Sequence, residues 1–265
     1  MTHRPKKSLG QHFLRSASAI KAMVSSGKVG ADDTVLEIGP GEGVLTHALL
    51  STGAKVIAVE FDGALIPLLS ERFSAEIASG ALTLIEADIL KWNPESAGLF
   101  SGAYKLVANI PYYITGAIFE KFLTEKNHPS CMVVLIQKEV ATRIVARDNK
   151  ESILSISVKA FGNPKITAKV PASAFRPAPK VDSAVLLVDT ISQDQFNGGD
   201  TKHFFDIVHA GFAHKRKLAA RNLETVANKE AITQAFETLG VSPKARAEDM
   251  PLSIWISLAN VFAQK

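Results

Sequence analysis

From Thr34 onward the sequence alternates short β-branched apolar runs with segments of helical spacing, and this alternation constrains the fold more than any other feature. The first two runs are Thr34–Ile38 and Lys55–Val59, and helical spacing through Leu45 and Leu49 separates them. Further strands are predicted at Leu82–Glu86, Lys105–Ala108 and Met132–Ile136. Strands that alternate with helices form βαβ units, whose strands lie parallel in one sheet. We therefore predict an α/β fold with a doubly wound, Rossmann-like sheet.

The pattern changes beyond these units. Ser155–Ala160 and Ser183–Val188 are predicted strands, and the prolines of Phe175–Lys180 between them predict irregular structure. Gln193–Thr201 is polar and glycine-rich, as linkers are, and apolar residues recur at helical spacing from Phe204 onward. We expect three parts: a basic N-terminal arm over residues 1–30, an α/β domain over residues 31–190 and a small C-terminal helical domain over residues 191–265.

Charge is unevenly distributed along the chain. There are 30 basic and 26 acidic side chains in all, a net charge of +4. Residues 1–31 carry six basic side chains and no acidic one, residues 32–201 carry 15 basic and 20 acidic, and residues 202–265 carry nine basic and six acidic. Basic ends around an acidic middle suggest that the ends bind a polyanion. The basic start taken alone also fits an organellar transit peptide.

The composition excludes several classes of protein. With 46% hydrophobic and 21% charged residues, the chain is not intrinsically disordered. No apolar run approaches the ~18 residues of a membrane-spanning helix. A single cysteine forms no internal disulfide, and the seven histidines lack the paired spacing of zinc ligands. We therefore expect a cytoplasmic protein without membrane segment or metal, and we expect a monomer.

A glycine-rich turn follows the first predicted strand. Gly39, Gly41 and Gly43 stand between a strand and a helix, where glycines let the backbone approach a ligand and the helix start offers free N–H groups. Glu60 ends the next strand 21 residues after Gly39, where a carboxylate can accept hydrogen bonds from both ribose hydroxyls of a nucleoside. Asp88, after the third strand, can accept one from an adenine amino group. Both dinucleotide-dependent dehydrogenases and adenosylmethionine-dependent methyltransferases fit this layout, although the spacing is G-x-G-x-G, not the G-x-G-x-x-G that packs around a pyrophosphate.

The fourth predicted strand runs into Asn109-Ile110-Pro111-Tyr112. The exocyclic nitrogen of adenine is a poor nucleophile because its lone pair is delocalised into the ring. The Asn109 side-chain oxygen and a main-chain carbonyl beside Pro111 can bind its two N–H groups, which favours the pyramidal geometry in which the lone pair attacks. Tyr112 offers a ring face on which a flipped base can stack. The tetrapeptide resembles that of methyltransferases acting on adenine N6.

Six blocks occur in the order seen in the ribosomal RNA adenine dimethylases. They are Ser8–Leu14, Glu37–Gly43, Asn109–Tyr112, Gln137–Val140, Phe175–Val185 and Phe212–Leu223. The chain resembles this family from about Lys7 to Ala259, most closely the members that act on small-subunit (16S-type) rRNA. The resemblance implies a class I methyltransferase that uses S-adenosyl-L-methionine. Its expected reaction is the dimethylation of N6 of two adjacent adenines near the 3′ end of that rRNA. The expected substrate is a pre-ribosomal particle, and the reaction is a step of ribosome maturation. The resemblance also makes Gln11–Leu14 a functional segment, which disfavours a transit peptide.

The resemblance further implies which residues form the site. By position, the cofactor-binding residues are His12, Leu14, Gly39, Gly41, Glu60, Asp88 and Asn109. The catalytic set is Asn109, Pro111, Tyr112 and Phe175, with the two aromatic rings matching those thought to hold the target adenine. The resemblance also implies that Lys215, Arg216, Lys217 and Arg221 bind RNA. The basic charge of the N-terminal stretch, and not the resemblance, makes Arg4, Lys6 and Lys7 predicted RNA contacts. Residues 1–30 are then an arm over the cofactor site, residues 31–190 the methyltransferase domain and residues 191–265 the RNA-binding domain.

Three departures from the family pattern and three other functions remain open at this point. One departure is Tyr113, which lies where many relatives have Asn. His12 stands where the family usually has Asn, and Glu151-Ser152-Ile153 replaces a stretch that commonly carries an aromatic, a glycine and a basic residue. A large-subunit rRNA dimethylase of the antibiotic-resistance type shares the Asn-Ile-Pro-Tyr core, although Ala174–Val185 and Phe212–Leu223 are more similar to the small-subunit type. A ribosome-assembly or transcription factor on the same scaffold is the second alternative. A nicotinamide-dependent oxidoreductase is the third, and the glycine spacing opposes it.

Overall fold

The computed structural model describes residues 6, 10–146, 148–193, 196 and 201–263. Its strands are β1 (Phe13–Leu14), β2 (Thr34–Ile38), β3 (Lys55–Glu60), β4 (Leu82–Glu86), β5 (Lys105–Asn109), β6 (Cys131–Gln137), β7 (Asn163–Val170), β8 (Phe175–Arg176) and β9 (Ser183–Asp189). Its helices are α1 (Ala17–Ser26), α2 (Val44–Leu50), α3 (Ile66–Arg72), α4 (Ser74–Ala78), α5 (Thr115–Thr124), α6 (Lys138–Ile144), α7 (Ile153–Lys159), α8 (Thr201–Phe212), α9 (Ala219–Leu223), α10 (Lys229–Thr238) and α11 (Leu252–Ala263).

Seven strands form one mostly parallel sheet in the order β4-β3-β2-β5-β6-β9-β7. Strands β2 to β6 run parallel, and β9 runs antiparallel to both of its neighbours, β6 and β7. Strand β2 pairs with β3 on one side and with β5 on the other, so the order of strands reverses there. In open α/β sheets, ligands bind beyond the carboxyl ends of the strands at such a reversal. The predicted Rossmann-like α/β fold is confirmed.

The inner strands explain why the sequence signal was strong. All five side chains of Met132–Ile136 in β6 are inaccessible to solvent, as are those of Leu106, Val107 and Ala108 in β5. A parallel strand covered on both faces needs such a continuous apolar run, because neither face meets water. The predicted positions of β2 to β6 therefore agree with the structure to within about a residue, well inside the usual uncertainty of element ends.

By its internal contacts the chain divides into two compact units. The first comprises the residues up to Ala141 together with Gly162–Ser192, and it holds the sheet. The second comprises Thr142–Phe161 and the residues from Gln193 onward. Residues 142–161, which the expected boundaries assign to the sheet domain, thus belong to the helical unit. In that unit the Phe161 ring lies 5.3 Å from the ring of Phe196.

Two local predictions are wrong. Ser155–Ala160 is helical within α7, because Ser152 forms a capping box: the Ser155 N–H donates to Ser152 Oγ at 3.1 Å, and the Ser152 N–H donates to Ser155 Oγ at 2.6 Å. These bonds at the helix start outweigh the strand preference of the β-branched residues that follow. Phe175–Lys180 is not wholly irregular, since Phe175 and Arg176 form β8 and pair with β1; the prolines begin only at Pro177. The pattern also missed β7, an edge strand.

Trp255 forms the centre of the helical unit. Its side chain is fully buried in α11, and its indole N–H donates to the Met250 carbonyl at 3.0 Å. Gly211 of α8 lies so close to the indole ring that a Cβ atom at position 211 would overlap it. A helix interior normally favours alanine over glycine, so close packing against Trp255 explains the glycine here.

We predict that Gly211→Ala lowers the free energy of unfolding by about 1–3 kcal/mol, the usual cost of overpacking a core. Gly116→Ala is the matched control, because Gly116 is exposed in α5 and no heavy atom lies within 4 Å of its Cβ position. That change should stabilise the protein by up to about 1 kcal/mol. Denaturant unfolding measures both, and a Gly211→Ala protein as stable as the unsubstituted chain would contradict the packing argument.

Candidate functional site

A cavity of about 260 Å³ lies at the carboxyl ends of β2, β3, β4 and β5. Every candidate cofactor-binding and catalytic residue lines it: His12, Leu14, Gly39, Gly41, Glu60, Asp88, Asn109, Pro111, Tyr112 and Phe175. The sheet accounts for this convergence. Gly39, Glu60, Asp88 and Asn109 end or closely follow four neighbouring strands, whose carboxyl ends meet at one edge.

The glycine turn provides open space on one side and close packing on the other. Gly39 and Gly41 have φ angles of +64° and +59°, in the left-handed region that favours glycine. No heavy atom lies within 4 Å of the Cβ position at Gly39, so the cavity stays open beside its backbone. A Cβ atom on Gly41 would lie 3.0 Å from the Phe13 ring, so this glycine lets Phe13 pack directly against the turn.

Glu60 is buried and held by main-chain donors. Its Oε2 accepts from the Gly41 N–H at 3.1 Å and its Oε1 from the Asp62 N–H at 2.8 Å, while burial raises its pKa. Each carboxylate oxygen has two acceptor sites, so both oxygens can still accept from a pair of hydroxyls. This arrangement suits the ribose-binding role predicted for Glu60.

Glu37 is a second buried carboxyl group at the cavity, and no role was predicted for it from the sequence. It is 1% exposed and lines the cavity, and its Oε2 has no hydrogen-bond partner among the described residues. Burial raises its pKa to about 8, and the nearby charge of Glu60 adds to the effect. A buried carboxyl group with an unused oxygen suits a ligand that brings a positive charge or a donor.

The segment before α1 crosses the cavity and is anchored by Asp62. Gln11 donates its side-chain amide to Asp62 at 2.9 Å, and the Lys6 ammonium lies 2.6 Å from the same carboxylate. Burial opposes the ionisation of Asp62, but the bonds from Lys6 and Gln11 hold its pKa below the ordinary value. Lys6, a predicted RNA contact, therefore has a carboxylate partner. No local sequence pattern marks Asp62.

The same segment is also anchored through two of its cavity-lining residues and through Arg15, which follows them. Phe13 and Leu14 pair with Arg176 and Phe175 as β1 and β8. The Arg15 guanidinium lies 2.6 Å from Glu42 of the glycine turn. The segment is thus held both before and after the residues that line the cavity.

Asn109 is oriented by this segment. Its side-chain Nδ2 donates to the main-chain carbonyl of His12 at 3.2 Å. Because Nδ2 is the atom that bonds to His12, Oδ1 is the amide atom that is still available to accept. The orientation agrees with the acceptor role that the sequence assigns to Asn109.

Tyr112 is fixed by contacts at its ring and its hydroxyl. The His12 ring stacks on it with a centroid separation of 6.2 Å and an interplanar angle of 24°, and its hydroxyl lies 2.7 Å from Ser183 Oγ. His12 Nδ1 lies 2.7 Å from the Pro177 carbonyl and must carry the proton there, because a carbonyl only accepts.

Phe175 is 5% exposed and belongs to the apolar core while also lining the cavity.

Four of the basic residues predicted to contact RNA lie on the surface of the helical unit. Lys215, Arg216 and Lys217 are exposed in the turn before α9, and Arg221 is exposed within α9. Buried Asn222 holds this turn, since its Nδ2 donates to the carbonyls of Gly211 at 2.6 Å and His214 at 3.2 Å. Arg4 and Lys7 lie outside the described residues.

Across the parts of the chain that the structure describes, no helix has the length and apolarity needed to cross a membrane. Within the same ranges, no cluster of three or more His, Cys, Asp or Glu side chains is placed to hold a metal ion.

The chain matches known proteins along almost its whole length. The model of the ribosomal RNA adenine dimethylase family matches residues 2–264. The ribosomal RNA small subunit methyltransferase A of Dehalococcoides mccartyi is 39% identical, over 99% of this chain and 90% of that protein. The protein of the same name from a Nostoc species is 38% identical, over 97% of this chain and 98% of that protein.

Two solved structures share the architecture. The 23S rRNA methyltransferase ErmE superposes with a TM-score of 0.77 at 25% identity, over 95% of this chain and 100% of that one. A dimethyladenosine transferase from Plasmodium falciparum superposes with a TM-score of 0.81 at 25% identity, over 96% of this chain and 98% of that one. The similarity therefore includes both the sheet and the helical unit.

Glu37 makes stability depend on pH. Its pKa rises from 4.5 to about 8 on folding, so between these values the folded protein holds a proton that the unfolded chain has released. The unfolded state binds fewer protons, so stability falls as the pH rises through this window. We predict that Glu37→Gln, which cannot ionise, shows a shallower fall of Tm between about pH 5 and 8.

The control for this measurement is Glu71→Gln, an exposed position on α3. Its Tm should fall with pH as steeply as that of the unsubstituted protein. A Glu37→Gln profile that is equally steep would show that Glu37 ionises normally in the folded state.

Proposed function

The chain belongs to the ribosomal RNA adenine dimethylase family, and from that premise we propose that it dimethylates N6 of two adjacent adenines near the 3′ end of small-subunit (16S) rRNA, using S-adenosyl-L-methionine. Family membership makes it an rRNA adenine methyltransferase. The observation that supports transfer to N6 is the Asn109 amide, whose nitrogen donates to the His12 carbonyl so that its oxygen is left for a substrate. The identity with two small-subunit enzymes supports the choice of rRNA.

The residues that line the cavity suit S-adenosyl-L-methionine. Glu60 would bind the ribose hydroxyls and Asp88 the adenine amino group, since the Asp88 side chain is 35% exposed. Gly39 leaves open space beside the backbone, and Glu37 offers an unpartnered buried oxygen that can accept from the amino group of the methionine part. When bound, this group supplies a methyl group on a positively charged sulfur.

The base-binding residues would prepare N6 for attack. Asn109 Oδ1 and a main-chain carbonyl beside Pro111 accept its two N–H groups, while Tyr112 supports the face of the flipped ring. Orientation does most of the work, since well-aligned reactants can lower a barrier by roughly 7–11 kcal/mol. N6 loses its proton readily once it carries a fourth bond, so no side chain has to act as a strong base.

The second methyl transfer places a different demand on the same residues. After the first transfer, N6 carries a single N–H group, so only one of the two acceptors can still engage it. The site must hold the base by stacking and by this one bond while it makes room for the first methyl group.

The alternatives have weaker support. For the large-subunit alternative, the sequence identity with the 23S rRNA methyltransferase ErmE is 25%. The identity with two small-subunit enzymes is higher, at 39% and 38%. A factor with vestigial catalysis has no need to keep Glu60, Asp88 and Asn109 around one cavity. We therefore do not propose either.

The function is tested by incubating the protein and S-adenosyl-L-methionine with unmethylated small-subunit particles and, separately, with large-subunit particles. Mass mapping should find two adjacent dimethyladenines in the small-subunit rRNA and none in the large. Asn109→Ala should abolish the transfer because the N6 acceptor is lost, and it should leave particle binding intact because the predicted RNA-binding residues are unchanged. Methylation confined to large particles, or near-normal transfer by Asn109→Ala, would refute the proposal.

We further propose that Lys215, Arg216, Lys217 and Arg221 contact rRNA phosphates. They are exposed, their turn is held by Asn222, and none of the four forms an ion pair within the described ranges. Arg4 and Lys7 stay predictions from the sequence. Lys6 can contact an rRNA phosphate only if its ammonium group leaves Asp62 or binds Asp62 and the phosphate together.

We predict that joint replacement of Lys215, Arg216 and Lys217 by Ala weakens rRNA binding. The slope of log affinity against log salt should become shallower by about 2, because each lost phosphate contact no longer releases a counterion. The control is Lys229→Ala with Lys244→Ala, two exposed cations of the same unit. It should leave the slope nearly unchanged. Equal slopes for the triple variant and the unsubstituted protein would exclude phosphate contact at this turn.

A further inference from the structure

Ser183 is a buried polar residue to which the methyl-transfer scheme above gives no role. Its side chain is 0% exposed, and its hydroxyl lies 2.7 Å from the Tyr112 hydroxyl. The two residues are 71 positions apart in sequence, so the contact is purely tertiary. A buried hydroxyl without a partner costs free energy, and each of these hydroxyls gives the other a partner.

The backbone that carries Ser183 is held from both sides. Ser183 begins β9, where it pairs with Gln137 of β6 and with Val170 of β7. The preceding residue is also bonded, because the Lys138 N–H donates to the Asp182 carbonyl at 3.0 Å. The Ser183 hydroxyl is therefore attached to a fixed point of the sheet.

Tyr112 lacks such support of its own. It lies in the single 3₁₀ turn Tyr112–Ile114, directly after Pro111 and outside the sheet. Its ring can turn about two side-chain bonds, and the stacked His12 ring and the hydroxyl contact with Ser183 limit that rotation. Burial raises the pKa of its hydroxyl, so the group stays protonated and able to form the bond to Ser183.

We propose that Ser183 is a positioning residue for methyl transfer, which holds the Tyr112 ring at the angle at which the target adenine stacks. The inference rests on the proposed function, because it assigns Tyr112 to the base. Ser183 itself does not touch the substrate. Through its hydrogen bond it ties the Tyr112 ring to β9, because the 3₁₀ turn alone does not fix the angle of that ring.

The kinetic test uses a double-mutant cycle on unmethylated small-subunit particles. Ser183→Ala should lower kcat roughly five- to tenfold, the rate equivalent of one neutral hydrogen bond, and leave the affinity for S-adenosyl-L-methionine unchanged by calorimetry. Tyr112→Phe, which keeps the ring, should lower kcat similarly. The double variant should be no slower than either single one, because both remove the same bond.

The matched control is Ser155→Ala, which removes an equally buried hydroxyl in the helical unit. It should lower the Tm without changing kcat, which separates positioning from stability. An unchanged kcat in Ser183→Ala would overturn the inference. So would a double variant whose loss equals the product of the two single losses.

A second measurement does not depend on activity. The chain has three tyrosines, so ring signals of the ¹³C-tyrosine-labelled protein can be assigned by single Tyr→Phe changes. Ser183→Ala should shift or broaden the Tyr112 signals and leave those of Tyr104 and Tyr113 in place. Unperturbed Tyr112 signals would refute positioning by Ser183 even if the protein methylated rRNA. Absence of methylation by the unsubstituted protein would refute the proposed function alone.

Discussion

The reversal of strand order at β2 is the constraint on which the site depends. Parallel strands joined by crossover helices place all their carboxyl ends at one edge, and only where neighbours lead away in opposite directions do the following loops separate to leave a crevice. Here β2 is followed by the glycine turn and its neighbour β5 by Asn-Ile-Pro-Tyr. The two segments with the most specific chemistry therefore face each other because of strand order, although some 70 residues separate them in sequence.

The segment over the cavity explains how His12 can stand where the family usually has Asn. The contact that orients Asn109 is made by the His12 main chain, which is the same whatever side chain is present. The imidazole binds the Pro177 carbonyl and stacks on Tyr112. The substitution thus leaves the Asn109 amide in place and adds a link between the segment and the turn after β8. Main-chain and side-chain roles are therefore separate at this position.

The sequence predicted the features whose physical signal is local. Buried parallel strands need continuous apolar runs, and tight turns that approach a ligand need glycine, so the sheet and the cavity-lining residues could be predicted. The helix α7 could not, because two serine hydroxyls at its start decide its conformation. The contacts of Lys6 with Asp62 and of Tyr112 with Ser183 join residues 56 and 71 positions apart, and no short pattern encodes such pairs. Lys6 was assigned to RNA by counting charge, which takes no account of a distant carboxylate.

The pairing of β9 has a consequence for how this chain can vary in length. Strand residues alternate between the two faces of a sheet, so inserting or deleting one residue in β9 would turn the side chains on one side of the change to the opposite faces. If the residues after the change kept their register, a neighbour would replace Ser183 beside Tyr112, although no residue of the site had been substituted. The adjacent edge strand β7 already contains a register shift between Ile166 and Ala168. The edge strand β7 thus tolerates an extra residue. The length of the inner strand β9, in contrast, is restricted because it sets the position of Ser183.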